Sequence, residues 1–400
     1  MVGEKRDIVR VIGTVARGIR TPIIKKGDDL VEIVAQAVLS AADEEGFAFN
    51  DRDVVGVTEA IVARAQGNYA TLDQITADVC AKIPGKEVGI VFPILSRNRF
   101  SQILRGIAAG MDRLYLQLSY PSDEVGNPLV DIDLLDEKGI DPFTDVLEEA
   151  RFRALFKNVS HPFTGVDYIE YYKELCEGKA EVILANDPRA ILAFTKHVIT
   201  ADIHSRVRSK RLLKEAGAEQ VLGLDDLLNT PVDGSGYHPQ FGLLGSNLAT
   251  ENSVKLFPRD TQFFVDELVT RLQELTGRKF EALVYGDGAF KDPVGGIWEL
   301  ADPVVSPGYT AGLVGTPHEL KLKYIADNEF GELSSADAGE TIKERIRHKN
   351  DGTGDGMTSQ GTTPRRLSDL LGSLCDLTSG SGDKGTPVVL IQGYFDTYAD

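Results

Sequence analysis

Cysteine is scarce. Three residues in 400 (Cys80, Cys176 and Cys375) stand far apart and show no CxxC or Cys/His ligand spacing. Neither a disulfide framework nor a zinc site is indicated. Cations are in deficit: 43 Lys and Arg face 61 Asp and Glu, a formal net charge of −18. That balance argues against nucleic acid or an anionic membrane surface as partner. Any anion site has to be built locally from clustered Lys, Arg and backbone N–H groups. Long apolar runs are missing, and the opening Met-Val-Gly-Glu-Lys-Arg-Asp is not a signal peptide. A reducing cytoplasm is the expected setting. Internal repeats are absent, and no GxGxxG or GxxxxGK[ST] follows a candidate strand, so no dinucleotide or P-loop site is assigned.

What is present fits a globular enzyme, with 42% hydrophobic and 26% charged residues. Four hundred residues exceed the usual single domain, so two domains, or one core with a large insertion, are expected. The most informative run is Gly18-Ile-Arg-Thr-Pro-Ile-Ile-Lys-Lys-Gly-Asp-Asp29, after a strand expected within 7–17. Leu30, Ile33, Val34, Ala37, Val38 and Ala41 then mark one face of a helix over 29–44, with Asp29 and Glu32 as a capping arrangement. Lys25 and Lys26 thus sit beside a helix start, a place to hold an anion or simply a connection with two solvated lysines.

Strands are expected at 54–57, 88–92 and 113–118, and a helix from Thr71 to about Lys82. Phe100, Ile103, Leu104 and Ile107 predict a helix capped by Ser96, with Arg97 and Arg99 in its first turn. The helix dipole disfavours cations there. The pair therefore reads either as an anion site or as two solvated arginines. From about 140 to 235 strands alternate with helices: helices at 141–157, 166–177 and 205–216, strands at 180–185, 198–203 and 219–223. That alternation implies βαβ units and a parallel sheet.

Beyond 235 come a glycine-rich loop, Gly236 to Asn247, a strand near 253–257, a helix over 261–276 and a strand at 280–285. Tyr285-Gly-Asp-Gly-Ala-Phe-Lys-Asp292 then places carboxylates between glycines at a strand end, where open α/β sheets bind ligands. Asp287 fits a Mg²⁺ or Mn²⁺ ligand on nucleotide phosphates, with Asp292 second; an Asp-Gly turn is the plain alternative. A charged helix at 336–349, a turn-rich stretch at 350–363, a helix at 365–377, the loop Ser379-Gly-Ser-Gly-Asp-Lys-Gly-Thr-Pro387 and a strand at 388–392 close the chain. His161, His204, His238 and His318 lack partners in sequence and read as structural.

Pro22-Ile-Ile-Lys-Lys-Gly-Asp-Asp29 followed by Asp53-Val-Val-Gly-Val-Thr-Glu-Ala-Ile-Val-Ala-Arg-Ala-Gln-Gly67 resembles the amino-terminal signature of the coenzyme F420-0:γ-glutamyl ligases. The likeness covers about the first 70 residues and returns in pieces after about 240. It implies a ligase core of mixed sheets, so the fold class is α/β (mixed α+β), with an inserted Rossmann-like α/β lobe. The core is expected over 1–95 and 236–400, and the insertion over 96–235, shaping an acceptor pocket or an oligomer contact. In that family the first loop and the next strand end contact a guanine nucleotide. The resemblance therefore places Pro22, Ile23, Ile24, Lys25, Glu59, Arg64 and Asn247 on nucleotide, with Gly288, Gly380 and Gly382 for backbone contact to phosphate. Asp287, Arg97 and Arg99 are the candidate catalytic residues; Asp287, Asp292 and Asp383 are the candidate metal ligands.

Departures accompany the likeness. Glu59-Ala60 replaces small hydroxyl residues, and Arg64 replaces a lysine, exchanging a point charge for a fork. The family's Gly-Ile-Asp-x-Ser-Asn element matches Gly242-Leu-Leu-Gly-Ser-Asn247, with Leu244 at the metal-binding aspartate and Glu251 as a nearby spare carboxylate. Ser381 stands near a family metal-binding glutamate, with Asp383 two residues away. The resemblance implies GTP as substrate, Mg²⁺ or Mn²⁺ with K⁺ as a further metal, and a homodimer. Its activity joins L-glutamate to a carboxylate acceptor, coenzyme F420-0 or a relative, through an acyl phosphate. Three other readings stay open: the same mechanism on a different acceptor, a non-catalytic nucleotide-binding protein, and an unrelated α/β enzyme.

Overall fold

The structure is a computed structural model that describes residues 12–157, 159–161, 164–286, 304–317, 320, 322, 335–348, 366–380 and 382–399. Its first strand, β1 (Val15–Ile19), enters the loop that leads to α1 (Leu30–Glu45). Strand β2 (Asp53–Thr58) is followed directly by α2 (Glu59–Gln66), then β3 (Tyr69–Thr71) and α3 (Leu72–Lys82). The next elements are β4 (Glu87–Val91), α4 (Ser101–Gly110) and β5 (Arg113–Leu118). Then come α5 (Ile132–Lys138), β6 (Leu147–Glu148), α6 (Glu149–Leu155), α7 (Tyr168–Leu175) and β7 (Ala180–Leu184). Strand β8 (His197–Thr200), α8 (Arg206–Glu215) and β9 (Gln220–Gly223) complete the middle of the chain. The last third carries β10 (Asn247–Thr250), β11 (Ser253–Lys255), α9 (Thr261–Thr276), β12 (Phe280–Tyr285), β13 (Gly308–Tyr309), the helix Leu367–Ser379 and β14 (Val388–Gln392).

These strands make three sheets. A mixed sheet of five runs β1-β14-β2-β12-β13, with β2 and β12 parallel and the other pairs antiparallel. Its central strands are apolar on both faces because both faces are covered. Val55, Val57, Ala282, Val284 and Leu390 pack against Val34 and Val38 of α1 and Val265 and Leu268 of α9. The alternate residues Val54, Leu283, Val389 and Ile391 pack against Leu371 and Cys375 of the helix Leu367–Ser379. That helix lies so close that a Cβ on Gly56 would stand 2.3 Å from Cys375 Sγ.

A second sheet of six runs β6-β7-β5-β4-β8-β9, parallel except at the β6 edge. Its parallel strands follow one another outward from β4 in both directions, the doubly wound order of a Rossmann-like lobe. A third, three-stranded sheet runs β10-β11-β3. The parallel lobe therefore begins at β4, inside the stretch 1–95.

Two expected helices need correction. Ser96 does not cap a helix: its Oγ accepts from Arg99 N at 3.2 Å, closing a turn, and α4 starts at Ser101. Arg97 and Arg99 thus precede the helix, and the dipole argument does not apply to them. The expected helix over 141–157 survives only as α6. Asp145 Oδ2 instead accepts from Asp141 N, and Asp141 O from Asp145 N, within a turn at 141–145, and a separate α5 lies upstream.

Candidate functional site

Four chain segments, joined by Lys255 from a fifth, meet around one cleft of about 580 Å³. The first is the loop after β1, contributing Thr21 to Ile24; the second is the β2–α2 junction, Thr58 to Ile61 with Arg64. Tyr285 and Gly286 at the end of β12 form the third wall, and Asp376, Ser379, Gly380, Gly382 and Gly385 to Pro387 the fourth. The topology makes this meeting inevitable: β1, β14 and β2 are adjacent strands, and β12 runs parallel beside β2.

Each wall is held by local chemistry. Asp29 accepts from Glu32 N at 3.1 Å and starts α1. The reciprocal half of the expected capping pair is not made, because the Glu32 carboxylate turns to Arg271 at 2.7 Å. Asp28 Oδ2 accepts from Lys25 N at 2.7 Å, and Gly27 N donates to Ala65 O at 2.8 Å, pinning the lysine loop to α2. Thr58 N donates to Pro387 O at 2.9 Å, joining the second wall to the fourth. Gly380 sits at φ 62°, ψ −146°, a region essentially reserved for glycine, where a Cβ would stand 2.5 Å from Lys384 Nζ. Thr386 Oγ1 donates to Ser379 O at 3.0 Å and closes that loop.

Lys255 reaches the cleft from β11 and pairs with Glu59 at 3.2 Å, both side chains largely buried. A second cleft of about 600 Å³ adjoins the first, and the two share Ile23, Ile24, Arg64 and Lys255. Lys25, Lys26, Tyr69, Asn247 and Leu248 also line the second cleft. Asn247 lies directly across the β10–β11 ladder from Lys255.

Of the residues singled out in the sequence, Pro22, Ile23, Ile24, Glu59, Arg64, Gly380 and Gly382 line the first cleft, and Lys25 and Asn247 the second. Asp383 is exposed on the turn Gly382–Lys384 and is not on the first cleft's wall. Arg97 and Arg99 line neither cleft; Arg99 borders an apolar crevice with Leu243 and Leu244. Their turn is nonetheless tied to the second cleft, since Leu248 N donates to Asn98 O at 2.7 Å. Leu244 is 1% exposed among Phe100, Ile103, Ile203 and Leu224, an apolar setting that would penalise a carboxylate. Glu251 is exposed in the β10–β11 turn and lines neither cleft. Asp287, Gly288, Asp292, Ser381, His318 and the stretch 350–363 lie outside the described residues.

Among the described residues no three His, Cys, Asp or Glu side chains group as a metal site, so those residues by themselves do not fit one. Three histidines read as structural from sequence have structural surroundings. His238 stacks on Phe241 at 4.7 Å, accepts from Phe241 N, and burial pushes its pKa down to about 4. His161 accepts from Thr164 N at 3.1 Å, and burial lowers its pKa. The backbone N–H of His204 donates to Glu124. Sequence reasoning missed Lys255, Tyr285 and Asp376. The first becomes visible only through the register that sets β11 between β10 and β3. Burial pushes the Tyr285 hydroxyl well above its usual range, so it stays protonated.

No helix among the described residues is long and apolar enough to cross a membrane. The model of the F420-0:gamma-glutamyl ligase family matches residues 18–393, nearly the whole chain and all four walls of the cleft. A coenzyme F420:L-glutamate ligase of Methanosarcina acetivorans is 32% identical over 84 residues. That alignment takes in 20% of this chain and 30% of the relative's own length. The reading as an unrelated α/β enzyme falls with the family match. This chain belongs to the F420-0:gamma-glutamyl ligase family.

Proposed function

We propose that this chain is a GTP-dependent amide ligase that joins L-glutamate to a carboxylate acceptor, coenzyme F420-0 or a related molecule. The observation that carries the reading is the convergence of the residue 21–24 loop, the β2 end, the β12 end and the glycine-rich loop on one cleft. Two cations, Arg64 and Lys255, face that cleft in a chain of net charge −18.

In this reading the γ-phosphoryl group passes to the acceptor carboxylate, giving an acyl phosphate and GDP. The amine of glutamate then attacks the acyl carbon, an amide bond forms and phosphate leaves. Such a reaction asks the protein chiefly for alignment and charge neutralisation. Pro22 to Ile24 and the 380–387 loop would position the nucleotide, and Gly380 and Gly382 would let phosphate oxygens approach the backbone. Arg64 and Lys255 would face the charge that moves. By resemblance Asp287 is the residue for Mg²⁺ or Mn²⁺, with Asp292, Asp383 and K⁺ belonging to the same proposal. Residues 96–235 would shape the acceptor side or an oligomer contact, and homodimerisation in the cytoplasm completes the reading.

A second reading, a nucleotide-binding protein without turnover, is favoured by Leu244, which fills an apolar crevice where the family carries a metal carboxylate. The experiment that separates them incubates the protein with GTP, Mg²⁺, L-glutamate and coenzyme F420-0 and weighs the products. The ligase reading expects GDP, phosphate and an acceptor heavier by a glutamyl residue. Asp287→Ala should abolish this turnover with little change in melting temperature. Nucleotide binding without product under these conditions, or full turnover in folded Asp287→Ala, contradicts it.

A further inference from the structure

The second cleft differs from the first in charge. Lys25, Lys26, Arg64 and Lys255 line it, and no Asp or Glu is on its wall among the described residues. Glu59, paired with Lys255 at 3.2 Å, offsets one of these charges. In a chain of net charge −18, four cations around about 600 Å³ mark a local anion site. Their mutual repulsion is a cost that a bound polyanion removes.

The wall is also built rather than incidental. The Lys26 stem lies flat on Gly67, where a Cβ would stand 2.4 Å from Lys26 Cδ. Gly67 itself holds φ +63° at the end of α2. Any other side chain there would push the ammonium off its course. The bond from Gly27 N to Ala65 O fixes the same loop from the other side. Two exposed apolar residues line the same cleft, Ile23 at 81% and Leu248 at 42% exposure.

We propose that this second cleft receives the acceptor, a molecule with at least two negative charges beside an apolar face. Lys26 and Lys255 are its charge contacts, and Ile23 and Leu248 its apolar wall. The inference rests on the ligase reading above and adds where the acceptor lies. Phosphoryl transfer needs the donor's terminal phosphate and the acceptor's carboxylate in one place, where negative charge is greatest. The two clefts meet at Arg64 and Lys255, the cations they share. Lys25 and Asn247, which the resemblance assigns to nucleotide, also line the second cleft, so the nucleotide's phosphates would reach its border from the first cleft and meet the acceptor's carboxylate there.

The test uses the full chain and coenzyme F420-0 as probe, titrated calorimetrically into wild type and Lys26→Gln at two salt concentrations. GTP with Mg²⁺ is followed separately by its shift in melting temperature. Lys26 is exposed, so the variant should melt like wild type without ligand. The expected result is binding of F420-0 weakened by about tenfold in Lys26→Gln, as for loss of one charge-assisted contact. The salt dependence should flatten while the GTP shift is retained. Lys255→Gln, at the shared border, should weaken both ligands. The proposal is overturned if wild type does not bind F420-0, if Lys26→Gln binds it unchanged, or if Lys26→Gln loses the GTP shift instead. Wild type that binds F420-0 through Lys26 yet forms no glutamyl product sinks the ligase reading and leaves the cleft assignment standing.

Discussion

Single carboxylates set much of this protein's response to pH. Asp202 at the end of β8 is fully buried and accepts from the Ser205 and Ser209 hydroxyls, each at 2.7 Å. Its other oxygen has no hydrogen-bond partner. Burial pushes its pKa up to about 6, and the nearby Glu124 carboxylate adds to the rise. A raised acid pKa means that the folded protein holds a proton the unfolded chain has released. Stability from this group is therefore lost as pH rises from about 4 to about 6. Asp202→Asn should stay neutral throughout, so its melting temperature relative to wild type should climb between pH 4 and pH 6 and level off above. Parallel melting curves across that range would contradict the assignment. At Gly380 the backbone sets the requirement. Gly380→Ala adds a Cβ to a conformation glycine alone tolerates, at a cost on the order of 1–3 kcal/mol. It should lower the chemical-denaturation midpoint and disturb the cleft's fourth wall. Arg64 and Lys25 could be read from the sequence because they sit in contiguous motifs. Lys255 could not, because its place depends on a cross-strand neighbour.

Elements whose apolar residues are covered on a defined face were the legible ones. β5, α9, β12 and β14 occupy the expected residues, with strands buried along nearly their whole length and a helix ended by Gly277 at φ +71°. The start of α3 is likewise written locally: Thr71 and Gln74 form a full capping box, with bonds of 3.3 and 2.9 Å. Thr71→Ala should cost about 1 kcal/mol, measurable as a lower urea midpoint with an unchanged slope. An unchanged midpoint would mean that packing of α3 on α4 alone holds that end. The errors share a cause. Ser96 and Asp141 are good helix caps by composition, but each closes a turn of its own. Helix α5 buries only Leu135, too little apolar periodicity to announce itself. Such short-range competition between cap and turn is settled by what the segment packs against.

Across the whole molecule, the parallel lobe and the mixed sheet have separate cores, and the three-stranded sheet contributes Lys255 to both clefts. Alternating strands and helices were enough to foresee the lobe. The site was only half legible, since it is assembled from segments near residues 22, 59, 255, 286 and 380. Local pattern reveals each segment but not that they meet; the strand order β1-β14-β2-β12 does. The central claim is that one triphosphate lies in this shared cleft. The most direct measurement is a crystal structure of the full chain with a non-hydrolysable GTP analogue and Mn²⁺. The account predicts nucleotide density touching both the 22–24 loop and the 380–387 loop, with its phosphates toward Arg64 and Lys255. Nucleotide seated in the parallel lobe, or in contact with only one of those loops, would contradict it.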